Sequence, residues 1–209
     1  MFPWSKLRQP PVENNMLRHS IVWGGASLLA ALVLLSGCAN TIRLPEQPVE
    51  TRSVYLVDLG RHTRLAFESP DGDLVEYAYG EWHWYAKMQD QWWRAPAVML
   101  WPTQGTLGRW KWPAPGAAAR LLDAYDGLVV IELSAEARMV DALIAELDRD
   151  FNERSGELLH NITYRLDFVP YHRSYWLFHN SNHAVKGWLQ KLGFEVSGSG
   201  MFADWKYEK

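Results

Sequence analysis

Two short stretches, far apart in the chain, carry residue types that can do chemistry. The first is Gly60-Arg61-His62-Thr63, followed by Glu76-Tyr77-Ala78-Tyr79-Gly80-Glu81. Alternation along an extended chain places Leu65 and Phe67 on one side and His62, Arg64 and Ala66 on the other. An imidazole entering a strand opposite its more apolar side can look into a cleft, or it can satisfy a local hydrogen bond. The second stretch is His179-Asn180-Ser181-Asn182-His183, ahead of a helical pattern. A side chain at a helix start meets the positive dipole end and free amides, which favour an anionic nucleophile or intermediate. The same Asn and Ser residues are also preferred caps. His179 and His183 stand at the i, i+4 spacing of two zinc ligands, but Asn180 sits where such enzymes carry a Glu, and no clear third ligand follows. Neither metal nor cofactor is expected.

The elements that must position these residues read as one α+β domain, an antiparallel sheet packed against helices, over residues 53–209. The first strand opens at Ser53 and runs through Leu59, where Gly60 breaks it; His62 to Phe67 is a second strand. Ser69-Pro70-Asp71-Gly72-Asp73 reads as a hairpin turn, and Leu74 to Tyr79 returns as a third strand. Glu81 to Met99 is expected to be helical in pieces, broken near Pro96. Seven Trp lie between Trp82 and Trp112; aromatic faces suit sugars or acyl chains, and core is the stronger expectation. Strands are expected at Thr106 to Trp112, Leu128 to Leu133 and Ile162 to Val169. Helices are expected at Ala117 to Tyr125, at Ala135 to Phe151 with Ser134 as cap, and at His183 to Leu192, closed by Gly193.

Composition narrows the function classes. With 48% hydrophobic and 22% charged residues, the chain has the apolar surface a folded domain needs. A net charge of −3 gives no basic face for nucleic acid. A single cysteine excludes an intramolecular disulfide and a thiolate metal cluster.

That cysteine is the most informative residue in the chain. After Lys6, Arg8 and Arg18, the seventeen residues from Ile21 to Gly37 carry no charge, and they end in small residues. The run is short for a membrane span and follows the plan of a secretory signal. Its end, Leu35-Ser36-Gly37-Cys38, resembles the lipobox of bacterial lipoproteins. The resemblance implies that residues 1–37 are a signal peptide, removed before Cys38. The Cys38 thiol then receives a diacylglyceryl group, and the freed amine an acyl chain such as palmitate. Ala39, rather than Asp, follows the cysteine, which by the lipoprotein sorting rule favours the outer membrane, on its periplasmic face. Met16 is an alternative initiator, since it would start a signal of ordinary length. Removing residues 1–37 takes away Lys6, Arg8, Arg18 and Glu13, a net +2, so the mature chain carries −5. Anionic lipid does not attract such a domain. Residues 38–52, with Pro45 and Pro48, read as a lipidated tether.

The two chemical stretches together resemble a family of bacterial proteins that read Gly-Trp-His-Thr-Gly, Glu-Phe-Gly-Trp-Gly-Asp and Cys-Asn-Thr-Trp at the corresponding places. That family is similar to circularly permuted papain-like domains, related to NlpC-type cell-wall peptidases and lecithin–retinol acyltransferases. In those folds a Cys at a helix start is the nucleophile, a His on the sheet is its base, and a polar residue on the adjacent strand orients the His. The resemblance implies that His62 is the base, that Glu76, Gly80 and Glu81 fill the acidic and glycine positions, and that Asn182 follows a nucleophile position held by Ser181. Arg61 stands for a tryptophan, and Arg64 and Ala78 for glycines. Arg64 projects from the same side as His62, where the glycine would leave room for substrate. A hydroxyl is also a much poorer nucleophile than a thiolate without a base and an oxyanion site.

Three readings follow. The chain is a lipid-anchored protein whose papain-like hydrolase or acyltransferase activity is reduced or lost. Alternatively it is an active serine variant, pairing Ser181 with His62 on peptide, amide or ester bonds of the cell envelope. Alternatively it is a binding or structural lipoprotein whose aromatic segment meets an envelope peptide or glycan, with Asn182, Gly80 and Arg64 as binding candidates. In each reading the membrane lipid, held through Cys38, is the partner.

Overall fold

The computed structural model describes residues 39–43 and 50–208, which belong to the compact unit Cys38–Lys209. Residues 1–37, expected to be a signal peptide, and Cys38 itself lie outside the described residues. Among the described residues no helix is long and apolar enough to cross a membrane.

The architecture is α+β, built on antiparallel pairing. Seven strands form the main sheet: β2 (Thr51–Asp58), β3 (Thr63–Glu68), β4 (Leu74–Glu81), β5 (Thr103–Trp112), β6 (Val129–Glu136), β7 (Leu159–Asn161) and β8 (Leu166–Tyr175). Their order is β6-β2-β3-β4-β5-β8-β7, every neighbour antiparallel. The hairpin turn at Ser69 to Asp73 forms as expected, with Gly72 at φ 80° and Ser69 N–H donating to Asp73 O. β4 is the centre of the sheet, and all eight of its residues are buried.

Each strand serves two layers because its side chains alternate. One side of the sheet, carrying Val54, Leu56, Leu65, Phe67, Tyr77 and Tyr79, packs against α3 (Ala137–Asn152) and α4 (Ser181–Lys191) in the largest apolar cluster. The other side, carrying Tyr55, Val57 and Ala66, packs against α2 (Ala117–Ala124). Ala78 joins Trp82, Ala86, Leu166 and Phe168 on that same side. Here Gly108 is needed for close approach, since a Cβ would come within 2.6 Å of the Phe168 ring. Between β4 and β5 the chain runs through a π-helical turn Trp82–Ala86, a short turn Trp92–Arg94 and α1 (Ala95–Leu100). Pro96 does not break this segment; it sits in the first turn of α1, where a missing N–H costs nothing.

The largest departure from expectation is at the tether. Asn40–Arg43 is a strand, β1, lying parallel to β10 (Trp205–Glu208) and antiparallel to β9 (Glu195–Ser197) in a second, three-stranded sheet. Ile42 is fully buried there. Its partners are more than 150 residues away, so no local pattern announces the pairing. Smaller departures have local causes. Ser134 does not cap a helix, because β6 pairs with β2 along its whole length and Ser134 lies opposite Ser53. β8 starts at Leu166 rather than Ile162, because Asn161 Oδ1 accepts from the Thr163 and Tyr164 amides and turns the chain. Ile162 is left 82% exposed by that turn.

Candidate functional site

The start of β3 and the start of α4 meet directly. Asn180 is the N-cap of α4: its Oδ1 accepts from Asn182 N at 3.0 Å and from His183 N at 3.1 Å. The helix therefore opens at Ser181, two residues earlier than its apolar spacing suggests, and Ser181 stands in its first turn, 1% exposed. Next to it, Asn182 accepts a hydrogen bond from Thr63 Oγ1 at 2.9 Å, and Thr63 Oγ1 accepts one from Trp205 Nε1 at 2.8 Å. All three side chains are buried. Asn182 thus faces Thr63.

His62 precedes Thr63, and the alternation that sends Thr63 toward α4 turns His62 the other way. Its ring stacks on Tyr85, with centroids 4.8 Å apart and planes at 31°. Tyr85 in turn lies over Gly80, where a Cβ would come within 2.4 Å of Tyr85 Cδ2, and against Tyr164. Gly80 therefore makes room for an aromatic ring of this chain. Among the described residues the His62 ring has no hydrogen bond to Ser181, Glu76 or Glu81. Burial, with the nearby Arg64 charge as a lesser cause, pushes the His62 pKa down to about 3. The imidazole is neutral at ordinary pH.

The two carboxylates separate. Glu76 shares the side of the sheet that carries Arg64, away from α4. The ladder sets Arg64 opposite Ala78 and Glu76 opposite Ala66, and the small alanines leave a diagonal on which Arg64 Nη1 reaches Glu76 Oε1 at 3.0 Å. Trp112 Nε1 donates to the other oxygen at 3.0 Å, and the Tyr125 hydroxyl donates to the first. Arg64 Nη1 also donates to Tyr164 O at 3.2 Å. Arg64 is therefore a buried structural cation, 6% exposed at its side chain, against a carboxylate that is 1% exposed. Glu81 ends β4 on the α4 side. Its Oε2 accepts from Trp84 N at 2.6 Å, capping the π-helical turn, and its Oε1 pairs with His83 Nδ1 at 3.2 Å.

His179 and His183 have different hydrogen-bond partners. His179 Nδ1 lies 3.0 Å from the Tyr79 hydroxyl, and His183 Nδ1 lies 2.9 Å from Asn180 Oδ1. Among the described residues no cluster of three His, Cys, Asp or Glu could hold a metal ion.

A cavity of about 520 Å³ opens at the end of the sheet, of the size that takes a small ligand. Its walls come from Met99 and Val98 of α1, from Met201 and Phe202, and from Tyr85 and Tyr175; Arg61, Glu81 and Asn180 supply its polar groups. Burial, then the Glu81 charge, pushes the Tyr175 pKa up to about 12, so the phenol is a neutral donor. Neither His62 nor Ser181 is among the lining residues. The expectation that the Trp-rich segment is mainly core holds for Trp82 and fails for three others. Trp92, Trp93 and Trp101 are 78%, 63% and 67% exposed. They sit on short turns at the domain edge, and in α1 only Val98 is buried.

The sequence motifs contain Thr63 and Asn180 but do not mark them; Thr63 sits at the odd position after the histidine, which is the signal for the α4 side. Tyr85 and Tyr175 carry no pattern that separates them from other aromatic residues. Compared with known proteins, the chain matches no protein family, no curated protein and no solved structure.

Proposed function

We propose that the chain is a lipid-anchored cell-envelope protein, acylated on Cys38 and favouring the periplasmic face of the outer membrane. Its domain retains a permuted papain-like frame and works as a binding module without hydrolase or acyltransferase activity. The anchor is supported by Leu35-Ser36-Gly37-Cys38 at the end of an uncharged run. The loss of activity is supported by one observation above the rest: the imidazole at the base position, His62, has its pKa near 3 and stacks on Tyr85 instead of bonding to Ser181. A general base needs a pKa near the working pH, and a group protonated only near pH 3 takes no proton from a serine hydroxyl. Burial of Ser181 at 1% exposure, outside the lining of the 520 Å³ cavity, points the same way. Under this reading the cavity, and not the Ser181 position, meets the ligand.

Treatment of the purified protein with a serine-directed fluorophosphonate, followed by peptide mass analysis, tests it. Ser181 is expected to stay unmodified in the folded protein. Stoichiometric labelling of Ser181, lost in His62→Phe, would establish the active serine variant instead.

A further inference from the structure

The cavity shares a wall, the 201–203 segment, with the contacts that hold Asn40. Cys38 is two residues before Asn40, and Asn40 is held rigidly: its side chain is buried, Nδ2 donates to Phe202 O at 2.7 Å, and Oδ1 accepts from Gly200 N at 2.8 Å. Its amide donates to Asp204 O at 2.6 Å. Two extended residues span about 7 Å, so acyl chains on Cys38 enter a bilayer close to the 200–204 segment. That segment is one wall of the cavity, and α1 is another. The same region carries exposed apolar groups: Phe202, Trp92, Trp93, Leu100 and Trp101 are each at least half exposed. Leu177 N donates to Met99 O at 3.0 Å, which brings the exposed Phe178 to the end of α1. Soluble monomers rarely leave such a patch to water, and Trp in particular settles at the boundary between lipid and water.

We propose that this face, made of α1, the Trp92-Trp93 turn and the 201–203 segment, lies on the bilayer that holds Cys38, so that the cavity opens onto lipid acyl chains. The proposal rests on the acylation of Cys38 put forward above. The occupant is a lipid surface because the anchor leaves the domain no length in which to stand away from it. The docking is apolar rather than electrostatic, since the mature chain is acidic and Trp, Phe and Leu make the patch. It follows that high salt does not release the face.

The test uses the mature protein, extracted from membranes and reconstituted into phosphatidylcholine vesicles whose acyl chains carry bromine, a contact quencher of tryptophan emission. Quenching is expected, undiminished by high salt, and mostly lost in the Trp92→Phe, Trp93→Phe, Trp101→Phe triple variant. Trp110→Phe, on the sheet side away from α4, should leave it unchanged. Mass analysis of the Cys38 peptide on the same sample reports the anchor separately. An acylated protein whose tryptophans are unquenched, or quenched equally in the triple variant, overturns the docking face and leaves the anchor standing. An unacylated Cys38 peptide overturns the anchor, and the docking with it.

Discussion

Thr63 and Asn182 are 119 positions apart in the chain, yet Thr63 Oγ1 donates to Asn182 Oδ1 at 2.9 Å in the interior of the domain. The contact joins the first residue of β3 to the second of α4, and Trp205 completes it by donating to Thr63. It brings the two chemical stretches of the sequence together through their neighbours, with His62 and Ser181 each one residue away from the bond.

The first prediction follows from that bond. Thr63→Val keeps the shape and removes the hydroxyl, leaving the Trp205 indole N–H and the Asn182 carbonyl buried without this partner. Each such group costs about 1–3 kcal/mol. A drop in the denaturant midpoint with an unchanged slope is expected. Asn182→Ala added to Thr63→Val should cost less than the sum of the single changes.

A second prediction concerns Gly80. A methyl there meets the Tyr85 ring at 2.4 Å, so Gly80→Ala is expected to overpack the site by about 1–3 kcal/mol. Tyr85→Leu in the Gly80→Ala background should recover part of the loss. Thermal unfolding of the three variants reads this directly. A Gly80→Ala protein as stable as the parent would mean that Tyr85 is not seated on Gly80.

The alternation in β3 was legible from Leu65 and Phe67 against Arg64 and Ala66, and the structure divides these residues as the spacing requires. The three helices expected from Ala117, Ala135 and His183 are present, with observed starts at Ala117, Ala137 and Ser181, because apolar spacing marks a helix body better than its first turn. What was hidden depends on distant partners. β1 is four residues whose ladder lies at the other end of the chain. The partners of Arg64 were hidden for the same reason, because its carboxylate comes from β4, its phenol from Tyr125 just after α2, and its carbonyl from Tyr164 ahead of β8. From sequence Arg64 looked like a cation standing in substrate space. In the fold it is paired with Glu76 at 3.0 Å, and the two line a cavity of about 340 Å³ on the side of the sheet away from α4.

That placement gives the third prediction. Arg64→Met strands the Glu76 carboxylate in the interior and is expected to destabilise the protein by about 3–5 kcal/mol. Arg64→Met with Glu76→Leu removes both charges and should recover only part of that loss, as measured by chemical denaturation, because Trp112 Nε1 and the Tyr125 hydroxyl lose their acceptor. Arg64→Gly, which would clear a blocked cleft if Arg64 stood in one, should unfold the protein more readily without creating reactivity at Ser181→Cys.

The fourth prediction is the pH dependence of stability. The His62 pKa is depressed in the folded protein, from 6.5 to about 3, so between these values the unfolded chain binds the extra proton. Stability from this group is complete above about pH 6.5 and falls as the pH drops toward 3, by up to about 1.4 kcal/mol per pH unit. His183, whose pKa is lowered by burial and then by His179 and Lys186, adds a change of the same sign. Denaturant midpoints measured across this range should show a steeper acid loss in the parent than in His62→Phe, which keeps the ring against Tyr85 and loses the proton site.

The protonation state of His62 tests the central claim most directly. Nitrogen-labelled imidazole signals of the mature protein in detergent, assigned with His62→Phe, should show a His62 ring that stays neutral throughout the pH range in which the domain is folded, with no change on Ser181→Ala. A His62 ring that titrates near the ordinary histidine value of about 6.5, with signals that shift when Ser181 becomes Ala, would contradict the account and restore His62 and Ser181 as an acid–base pair.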